Sequence, residues 1–397
     1  MATSLIDRLE QNEPALTELA GLGWHTAVEI SNALVQNTTV NSFRFNSCGL
    51  DDADCVAIMQ GLTRRYAYQV NNLCVTCRPR TKRISFARNN IGAVGAYEIA
   101  NFLTSPLSKC HSESKSEICA KCGNNRLLAP RFMEDFIRIE LLSNTIGDEG
   151  VTVITNAITA FATSSDDRSH YIVELGFERN GISDIGMMPI CQMLTTHNYS
   201  LHTLHLGKND FTPRGVVYLA DALKVNKTLE TLNLSGNSDI GDEGTVILAE
   251  SLKYNTTLKT LLLKKCGLSD HGYYLLIQAL YNGHSPYLMS QSNHTLTEIS
   301  VCSRFSHNMT LDTVPLRTLL SWNNMGTSTA QRLKLVSFFC SNQGIRHVHS
   351  LSLDRKLFPY LLRKIWRVFR EDMHRRSVNK LEVLFKYIRE MPSVVES

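Results

Sequence analysis

Hydrophobic residues recur along this chain in a frame of nine positions, L-x-x-L-x-L-x-x-N, in which Cys sometimes replaces the final Asn. The clearest copies are residues 201–209, 229–237 and 258–266, whose last residues lie 28 and 29 positions apart. Alternating leucines place one side of a short strand against a core and leave the residues between them facing solvent. The final Asn or Cys is expected to turn the chain and to bond to backbone groups that no strand pairs. Each copy therefore predicts one strand followed by a turn.

The residues between two copies carry the pattern of an amphipathic helix. Residues 147–150 and 241–244 are both Gly-Asp-Glu-Gly, and acidic residues there favour a helix start because they complement the helix dipole. In residues 246–252 the apolar positions then repeat at helical spacing. With the weaker copies included, the pattern predicts ten strand-and-helix units. The weaker copies are residues 16–19, 40–48, 81–89, 136–144, 172–180, 296–304 and 316–324.

The joint periodicity of strand, Asn or Cys turn and acidic helix start resembles the ribonuclease-inhibitor subfamily of leucine-rich repeats over residues 9–345. The resemblance implies an α/β solenoid, a horseshoe with parallel strands on the concave face and helices on the convex face. It also implies a non-catalytic scaffold that binds a protein partner on the concave surface, although one fold hosts many functions. The subfamily also includes the Ran GTPase-activating protein, so a regulator that activates a GTPase is the alternative. That family ends in an acidic tail, whereas residues 355–389 of this chain are basic.

Two irregular steps interrupt the predicted array. The final frame positions at Cys48, Asn89 and Asn144 lie 41 and 55 residues apart, well above the usual step. The excess predicts insertions near residues 63–80 and 104–130. Surface loops of this length cost little entropy, so a solenoid can accept them.

The C-terminal segment, residues 346–397, differs from the solenoid predicted for residues 1–345. Residues 355–389 hold 11 Lys and Arg against three acids, a local net charge of +8 in a chain whose net charge is +4. Their apolar residues recur at helical spacing, which predicts two amphipathic helices. Because a solenoid needs a cap over its last repeat, we expect these helices to cap the array. Contact of their basic faces with a membrane surface is the alternative.

The insertions hold one candidate metal site. Cys74 and Cys77 form a C-x-x-C pair in the first insertion, and Cys119 and Cys122 form a second pair in the next. Both insertions lie between a helix and the following strand, so a solenoid brings them to the same edge. Two such pairs have the local spacing of a structural zinc site, and we predict one zinc ion bound by the four thiolates. Unrelated surface thiols or a disulfide are the alternatives, and no organic cofactor is expected.

Motifs of catalysis are sparse in this sequence. The chain lacks the G-x-x-x-x-G-K phosphate loop, the G-x-S-x-G elbow and the H-E-x-x-H helix. His202 and His205 alternate on one predicted strand and could serve as metal ligands or bases, but the frame shows no carboxylate positioned beside them. We therefore predict exposed concave-face histidines and no enzyme activity.

The solvent-facing positions of the frame form the predicted binding surface. Basic residues at the position before the final Asn or Cys should stack into a partial positive stripe. That position holds Arg88, Arg179, Lys208 and Lys265. The full set of candidate partner-binding residues is Arg88, Arg138, Arg179, His205, Lys208, Lys264 and Lys265. The stripe predicts a protein partner with an acidic surface and no nucleic acid, and a simply solvated face is the alternative.

Composition sets the remaining expectations. With 43% hydrophobic and 20% charged residues, the chain has the composition of a folded globular protein. The sequence contains no run of about 18 apolar residues, so it predicts no membrane span. Residues 1–14 lack the pattern of a secretory signal. The 11 Cys are then better explained as reduced thiols or metal ligands than as a disulfide framework. We expect a cytoplasmic or nuclear protein.

Overall fold

The computed structural model describes residues 4–73, 81–104, 136–162, 171–196, 201–282, 292–301, 310–311, 314–327, 330 and 334. Helices and strands alternate from the first helix to the ninth strand. The helices are α1 (Leu5–Glu10), α2 (Ala27–Leu34), α3 (Asp52–Asn72), α4 (Ala93–Thr104), α5 (Gly147–Ala162), α6 (Asp184–Thr195), α7 (Pro213–Val225), α8 (Gly241–Leu252), α9 (Asp270–Leu280) and α10 (Leu316–Asn324). The strands are β1 (Glu18–Ala20), β2 (Ser42–Arg44), β3 (Arg83–Ser85), β4 (Phe136–Glu140), β5 (Tyr171–Gly176), β6 (Thr203–His205), β7 (Thr231–Asn233), β8 (Thr260–Leu262), β9 (Glu298–Ser300), β10 (Thr310–Leu311) and β11 (Val314–Pro315). Among the described helices, none combines the length and the hydropathy needed to cross a bilayer.

Strands β1 to β9 form one parallel sheet in the order in which they occur along the chain. The central leucines of successive strands pair with each other, as Leu204, Leu232 and Leu261 do across β6, β7 and β8. These three side chains are fully buried. One cluster of buried apolar side chains runs from Leu9 to Leu319 beneath the sheet and helices. The predicted α/β solenoid of parallel strands and helices is confirmed.

The tenth predicted strand is wrong, because Leu316–Asn324 forms helix α10 and the described sheet has nine strands. Leu316, Leu319 and Leu320 are spaced i, i+3 and i+4, which is one face of a helix. The L-x-x-L part of the frame fits this helical spacing equally well. Ser321 stands where a strand would need its third apolar residue. Leu319 is fully buried, so the helix packs onto the end of the same core.

The final Asn of the frame closes the turn after the strand, as predicted. Asn209 donates from Nδ2 to the carbonyls of Phe177 and Leu206, both at 3.0 Å. Its Oδ1 accepts from the backbone N–H groups of Asn180 and Ile182 in the preceding repeat, at 2.9 and 3.2 Å. Because Asn209 is buried, these bonds supply partners to backbone groups that water does not reach.

A second set of buried asparagines follows the helices, in Asn-x-Thr turns. Asn226 donates from Nδ2 to the Leu194 carbonyl at 2.9 Å, and its Oδ1 accepts from the Leu229 N–H at 2.8 Å. Other repeats hold buried asparagines at the same place, namely Asn37, Asn255 and Asn293. Such turns match the acceptor motif for N-glycosylation. In the folded protein, however, these side-chain amides are buried, and each donates a hydrogen bond from Nδ2 and accepts one at Oδ1.

Part of the first predicted insertion continues a helix of the array. Helix α3 has 21 residues and ends at Asn72, whereas α6 and α8 have 12 each. In this extension Arg65 is 2% exposed, donates from Nε to the Asn37 carbonyl at 2.9 Å and lies 5.2 Å from the Phe43 ring centre. Burial lowers the pKa of Arg65 to about 9, so its side chain stays charged at neutral pH. The other insertion residues, 74–80 and 105–130, and the predicted cap at 346–397 lie outside the described residues.

An aspartate of one repeat caps the helix of the next. Asp184, the first residue of α6, accepts from the N–H groups of Thr212 and Gly215 at 2.8 and 2.9 Å, and from Thr212 Oγ1 at 2.7 Å. These N–H groups open α7 and have no partner within the helix. Gly215 leaves room for the carboxylate, because a Cβ there would lie 2.5 Å from Asp184 Oδ1. Aspartates that cap the next helix in the same way are Asp52, Asp148 and Asp242.

Candidate protein-binding face

The floor of the concave face consists of the strand residues whose side chains point away from the leucine core. Burial alternates along β1, β6, β7 and β8, as in β6, where Leu204 is buried between the half-buried Thr203 and His205. This period of two is what a strand packed on one side requires. The candidate residues Arg138 and His205 both lie on the floor, on β4 and β6.

Charged residues of the floor pair with one another across neighbouring strands. Arg138 Nε lies 3.4 Å from the Glu174 carboxylate on the next strand. Further pairs of this kind are Arg44 with Glu18 at 3.1 Å, Arg83 with Glu140 at 3.3 Å and Lys259 with Glu230 at 2.6 Å. Opposite charges on adjacent strands stabilise a sheet surface modestly. Arg138 is therefore already engaged with an acid of its own face.

His205 on β6 lies between two glutamates of the preceding repeat. Its Nε2 is 3.5 Å from Glu174 Oε1, and its Nδ1 is 3.7 Å from Glu178 Oε1. The side-chain amide of Asn233 on β7 donates to the same Glu178 oxygen. The expectation of an exposed histidine without a carboxylate neighbour is wrong, since the side chain is only 28% exposed. The pattern within one strand could not reveal these neighbours, because they stand 31 and 27 residues away along the chain.

The residues before the final Asn or Cys of the frame share an uncommon backbone conformation. Residues other than Gly rarely adopt a positive φ, because their Cβ then approaches a carbonyl oxygen at a cost of about 1 kcal/mol. The basic members of this set are Arg88, Arg179, Lys208 and Lys265, with φ of 59°, 53°, 53° and 57°. The same position in other repeats holds Ser47, Ser143 and Gly236, also with positive φ. The conformation therefore belongs to the turn of the repeat and not to one residue type.

This left-handed turn extends the pairing of the sheet beyond the last strand residue. The N–H of Arg179 donates to the Gly207 carbonyl at 2.8 Å, and the N–H of Lys208 donates to the Ser235 carbonyl at 2.8 Å. Consecutive turns are therefore in direct contact and form a continuous ridge at the carboxyl ends of the strands. This ridge, termed the turn edge, comprises residues 87–90, 142–145, 178–181, 207–210, 235–238 and 264–267.

The cations of the turn edge are exposed, and their charges are unpaired within the described residues. They are Arg88, Arg179, Lys208, Lys264 and Lys265. Unlike the floor cations, none of the five forms an ion pair with an acid in the described part of the chain. The turn edge also carries the exposed Asp210 and the half-buried Glu178, which contacts His205. Ser143 and Gly236 interrupt the row of cations.

The predicted zinc ligands Cys74, Cys77, Cys119 and Cys122 lie outside the described residues. Within the described residues, no three His, Cys, Asp or Glu side chains are grouped so that they could hold a metal ion. Cys55, Cys191 and Cys266 are buried, and Cys48 is half-buried. Burial raises the pKa of the Cys191 thiol to about 12, which keeps this thiol protonated and unreactive.

Comparison with known proteins agrees with this architecture. A leucine-rich-repeat family model matches residues 197–220 and 225–248. The ribonuclease inhibitor of Sus scrofa is 24% identical over 223 residues, which cover 50% of this chain and 46% of the inhibitor. The inhibitor of Mus musculus is 25% identical over the same shares, so the chain spans about half the length of these relatives. Together with the nine-stranded parallel sheet, these similarities support a leucine-rich-repeat protein that is similar to ribonuclease inhibitors.

Two solved structures are more distant. Actin-binding site 2 of leiomodin-1 is 22% identical and covers 37% of this chain and 76% of its own, with a TM-score of 0.27. The yeast Rad7 and Elc1 complex contains a chain that is 9% identical, with coverage of 77% and 87% and a TM-score of 0.29. TM-scores this low support no inference about the present chain.

Proposed function

We propose that this protein is a non-catalytic scaffold that binds a protein partner with an acidic surface through its concave face and the adjoining turn edge. The contrast between the paired charges of the floor and the unpaired cations of the turn edge carries the proposal. Arg179 and Lys208 are exposed and remain available to a partner, and exposed charges steer encounter and select the partner. The likeness to ribonuclease inhibitors, which are named for acting on a protein, supports a protein partner.

Reversing the charge of the turn edge should weaken partner binding and leave folding intact. The variant carries Arg179→Glu, Lys208→Glu and Lys265→Glu. Each reversal removes one exposed attraction and adds one repulsion, about 0.5 kcal/mol apiece, so affinity should fall by about 100-fold. The partner recovered by affinity purification from native cells is titrated by calorimetry at several ionic strengths. Wild-type affinity should fall as salt rises, because salt screens exposed pairs.

The matched control reverses three exposed cations outside both the floor and the turn edge, namely Arg64 on α3 and Lys82 and Lys227 at the amino ends of strands. It changes the net charge by the same amount and should bind the partner nearly as tightly as the wild type. Unchanged affinity of the turn-edge variant at every ionic strength would mean that these cations form only a solvated surface.

We also propose one structural zinc ion, bound by Cys74, Cys77, Cys119 and Cys122. The support is the paired C-x-x-C spacing in successive insertions. Protein purified under metal-preserving conditions should contain about one equivalent of zinc by elemental analysis. Chelation should increase cleavage near Lys115 and Lys121 but leave helical content nearly unchanged, because the core from Leu9 to Leu319 is packed without these cysteines.

A Cys74→Ser and Cys77→Ser variant should lose the metal, whereas Cys48→Ser, a half-buried thiol outside both motifs, should retain it. Less than about 0.2 equivalents of zinc in the wild type would remove the proposal, because a structural thiolate site is largely occupied.

The alternative function, activation of a GTPase, stays a prediction. A GTP-hydrolysis assay with candidate small GTPases separates it from a scaffold. The cytoplasmic or nuclear location and the capping role of residues 346–397 also remain predictions from the sequence.

A further inference from the structure

The turn edge places long basic side chains where the backbone would prefer glycine. Of the seven described left-handed positions before the final frame residue, four hold Arg or Lys, two hold Ser and one holds Gly. Glycine adopts this conformation without steric cost, and Gly236 shows that the turn accepts it. No acid in the described residues pairs with Arg179 or Lys208, so contacts within the described fold do not account for these cations. The backbone hydrogen bonds between consecutive turns account for the left-handed conformation but not for Arg or Lys at these positions, so the basic side chains point to a contact with another molecule.

The cations form a line that crosses the repeats. Adjacent strands lie about 4.8 Å apart, and Arg179 and Lys208 occupy consecutive turns that bond to each other's repeats. Arg88 and Lys265 each lie two turns beyond this pair, a further distance of about 10 Å on either side. The Lys208 side chain passes over Gly236, where a Cβ would lie 2.6 Å from Lys208 Cγ. The line therefore extends for about 24 Å along the turn edge.

We propose that an extended acidic segment of the partner runs along the turn edge, across the strands, and pairs its carboxylates with this line of cations. The inference rests on the proposed function and adds the form of the partner. An extended peptide rises about 3.3 Å per residue, so three residues match the spacing of about 10 Å and about eight residues cover the line. A segment with an acid at every third position would meet Arg88, the Arg179 and Lys208 pair, and Lys265 in turn.

A single-stranded nucleic acid is another anionic chain of this length, and the turn edge suits it less. Proteins that bind single strands stack the bases on aromatic side chains. None of the turn-edge residues defined above is Phe, Tyr or Trp. Glu178 and Asp210 on the same edge would also repel a uniformly charged backbone. A peptide can place a neutral or basic residue opposite them.

The test replaces the cations by the residue that the backbone prefers, in the variant Arg179→Gly, Lys208→Gly and Lys265→Gly. The melting temperature should equal or exceed that of the wild type, because glycine relieves the left-handed strain. The probe is a fluorescent ten-residue peptide with Glu at every third position and Ser between. Its affinity, measured by anisotropy on the full chain at low salt, should fall at least about tenfold, since each lost exposed pair contributes about twofold to fivefold. If the melting temperature of the glycine variant is unchanged or higher while its affinity for the peptide falls, the cations contact a ligand and do not act by stabilising the fold.

The matched control removes the same charge outside both the floor and the turn edge, with Arg64→Gln, Lys82→Gln and Lys227→Gln, and should bind the peptide as the wild type does. A peptide with Gln in place of Glu should not bind. The inference is overturned if the glycine variant binds the acidic peptide undiminished, or if the control variant loses as much affinity. It is also overturned if the wild type prefers a ten-nucleotide oligothymidine to the peptide.

Failure of this inference is distinguishable from failure of the proposed function. A Thr203→Trp variant places a large side chain on the floor of the concave face, at a half-buried strand residue outside the turn edge. If the native partner is lost from that variant but retained by the glycine variant, the concave-face function stands and the acidic-segment inference fails. If both variants retain the partner, both proposals fail.

Discussion

Replacing Leu232 by Asp should unfold the array at room temperature. Leu232 is fully buried at the centre of β7, between Leu204 and Leu261 of the neighbouring strands. Loss of a buried leucine costs about 2–5 kcal/mol, and an unpaired carboxyl group in the same place costs about 2–7 kcal/mol more. The sum approaches the whole free energy of unfolding of a typical domain, about 5–15 kcal/mol. Circular dichroism should show the loss of helical content, because each unit buries its apolar face only against its neighbours.

Thr231→Asp is the matched control, because the same charge is placed one residue earlier on the half-buried, outward side of β7. It should change the free energy of unfolding by about 1 kcal/mol or less. A wild-type melting temperature for the Leu232→Asp protein would contradict a single continuous core.

The leucine frame predicts strands where its three apolar positions and its final Asn or Cys occur together. Residues 201–209 meet both requirements and contain strand β6. Residues 316–324 keep the first two leucines and an Asn, yet Ser321 removes the third apolar position and Leu320 completes a helical face. The first half of the frame cannot separate the two structures, because i and i+3 lie on the same side of a helix.

The sequence pattern also does not predict the register in which β4 pairs with β5. The frame places Phe136 in its first, inward position, whereas the structure pairs Ile137 with Ile172 and shifts register between Ile137 and Arg138. Ile137 is 1% exposed. Two adjacent large apolar residues satisfy either register, and pairing with β5 decides between them.

The sequence identifies the solvent-facing charges but not their partners. Arg138 and His205 both contact Glu174, whereas the turn-edge cations do not. These contacts join residues 36 and 31 positions apart, so they depend on how the repeats stack. The left-handed turn did leave a signal in the sequence. Gly236 stands at the frame position that holds Arg or Lys in other repeats, and a glycine at such a turn indicates a positive φ.

Replacing Gly215 by Ala should destabilise the fold by about 2–4 kcal/mol, the loss of one or two hydrogen bonds to a charged group. A Cβ at Gly215 would lie 2.5 Å from Asp184 Oδ1, which must then move away. The displaced carboxylate would lose its bonds to the Thr212 and Gly215 N–H groups, at 2.8 and 2.9 Å. Urea unfolding followed by circular dichroism measures the change in the free energy of unfolding.

A double-mutant cycle tests whether the two repeats are coupled through this contact. Asp184→Ala alone should cost about as much as Gly215→Ala, because it removes the same hydrogen bonds. The double variant should be about as stable as Asp184→Ala, since alanine at 215 no longer meets the carboxylate and favours the helix by about 1 kcal/mol over glycine. Its Cβ would still lie 3.1 Å from Phe211 Cβ and 3.2 Å from Met187 Cγ, which offsets part of that gain. The two changes should therefore be non-additive by about 2–3 kcal/mol.

The chain offers its own control for the cycle at Gly244 in α8. The helix before it begins with Pro213 where an aspartate would stand, and a Cβ at Gly244 would meet side-chain methyl groups of Ile240 and Val216 at 2.7 and 3.4 Å. Because those methyl groups can shift without breaking a hydrogen bond, Gly244→Ala should cost less than Gly215→Ala.

Additive effects of Asp184→Ala and Gly215→Ala would mean that the aspartate acts only on its own helix start. The Asp and Gly at successive helix starts would then not link one repeat to the next.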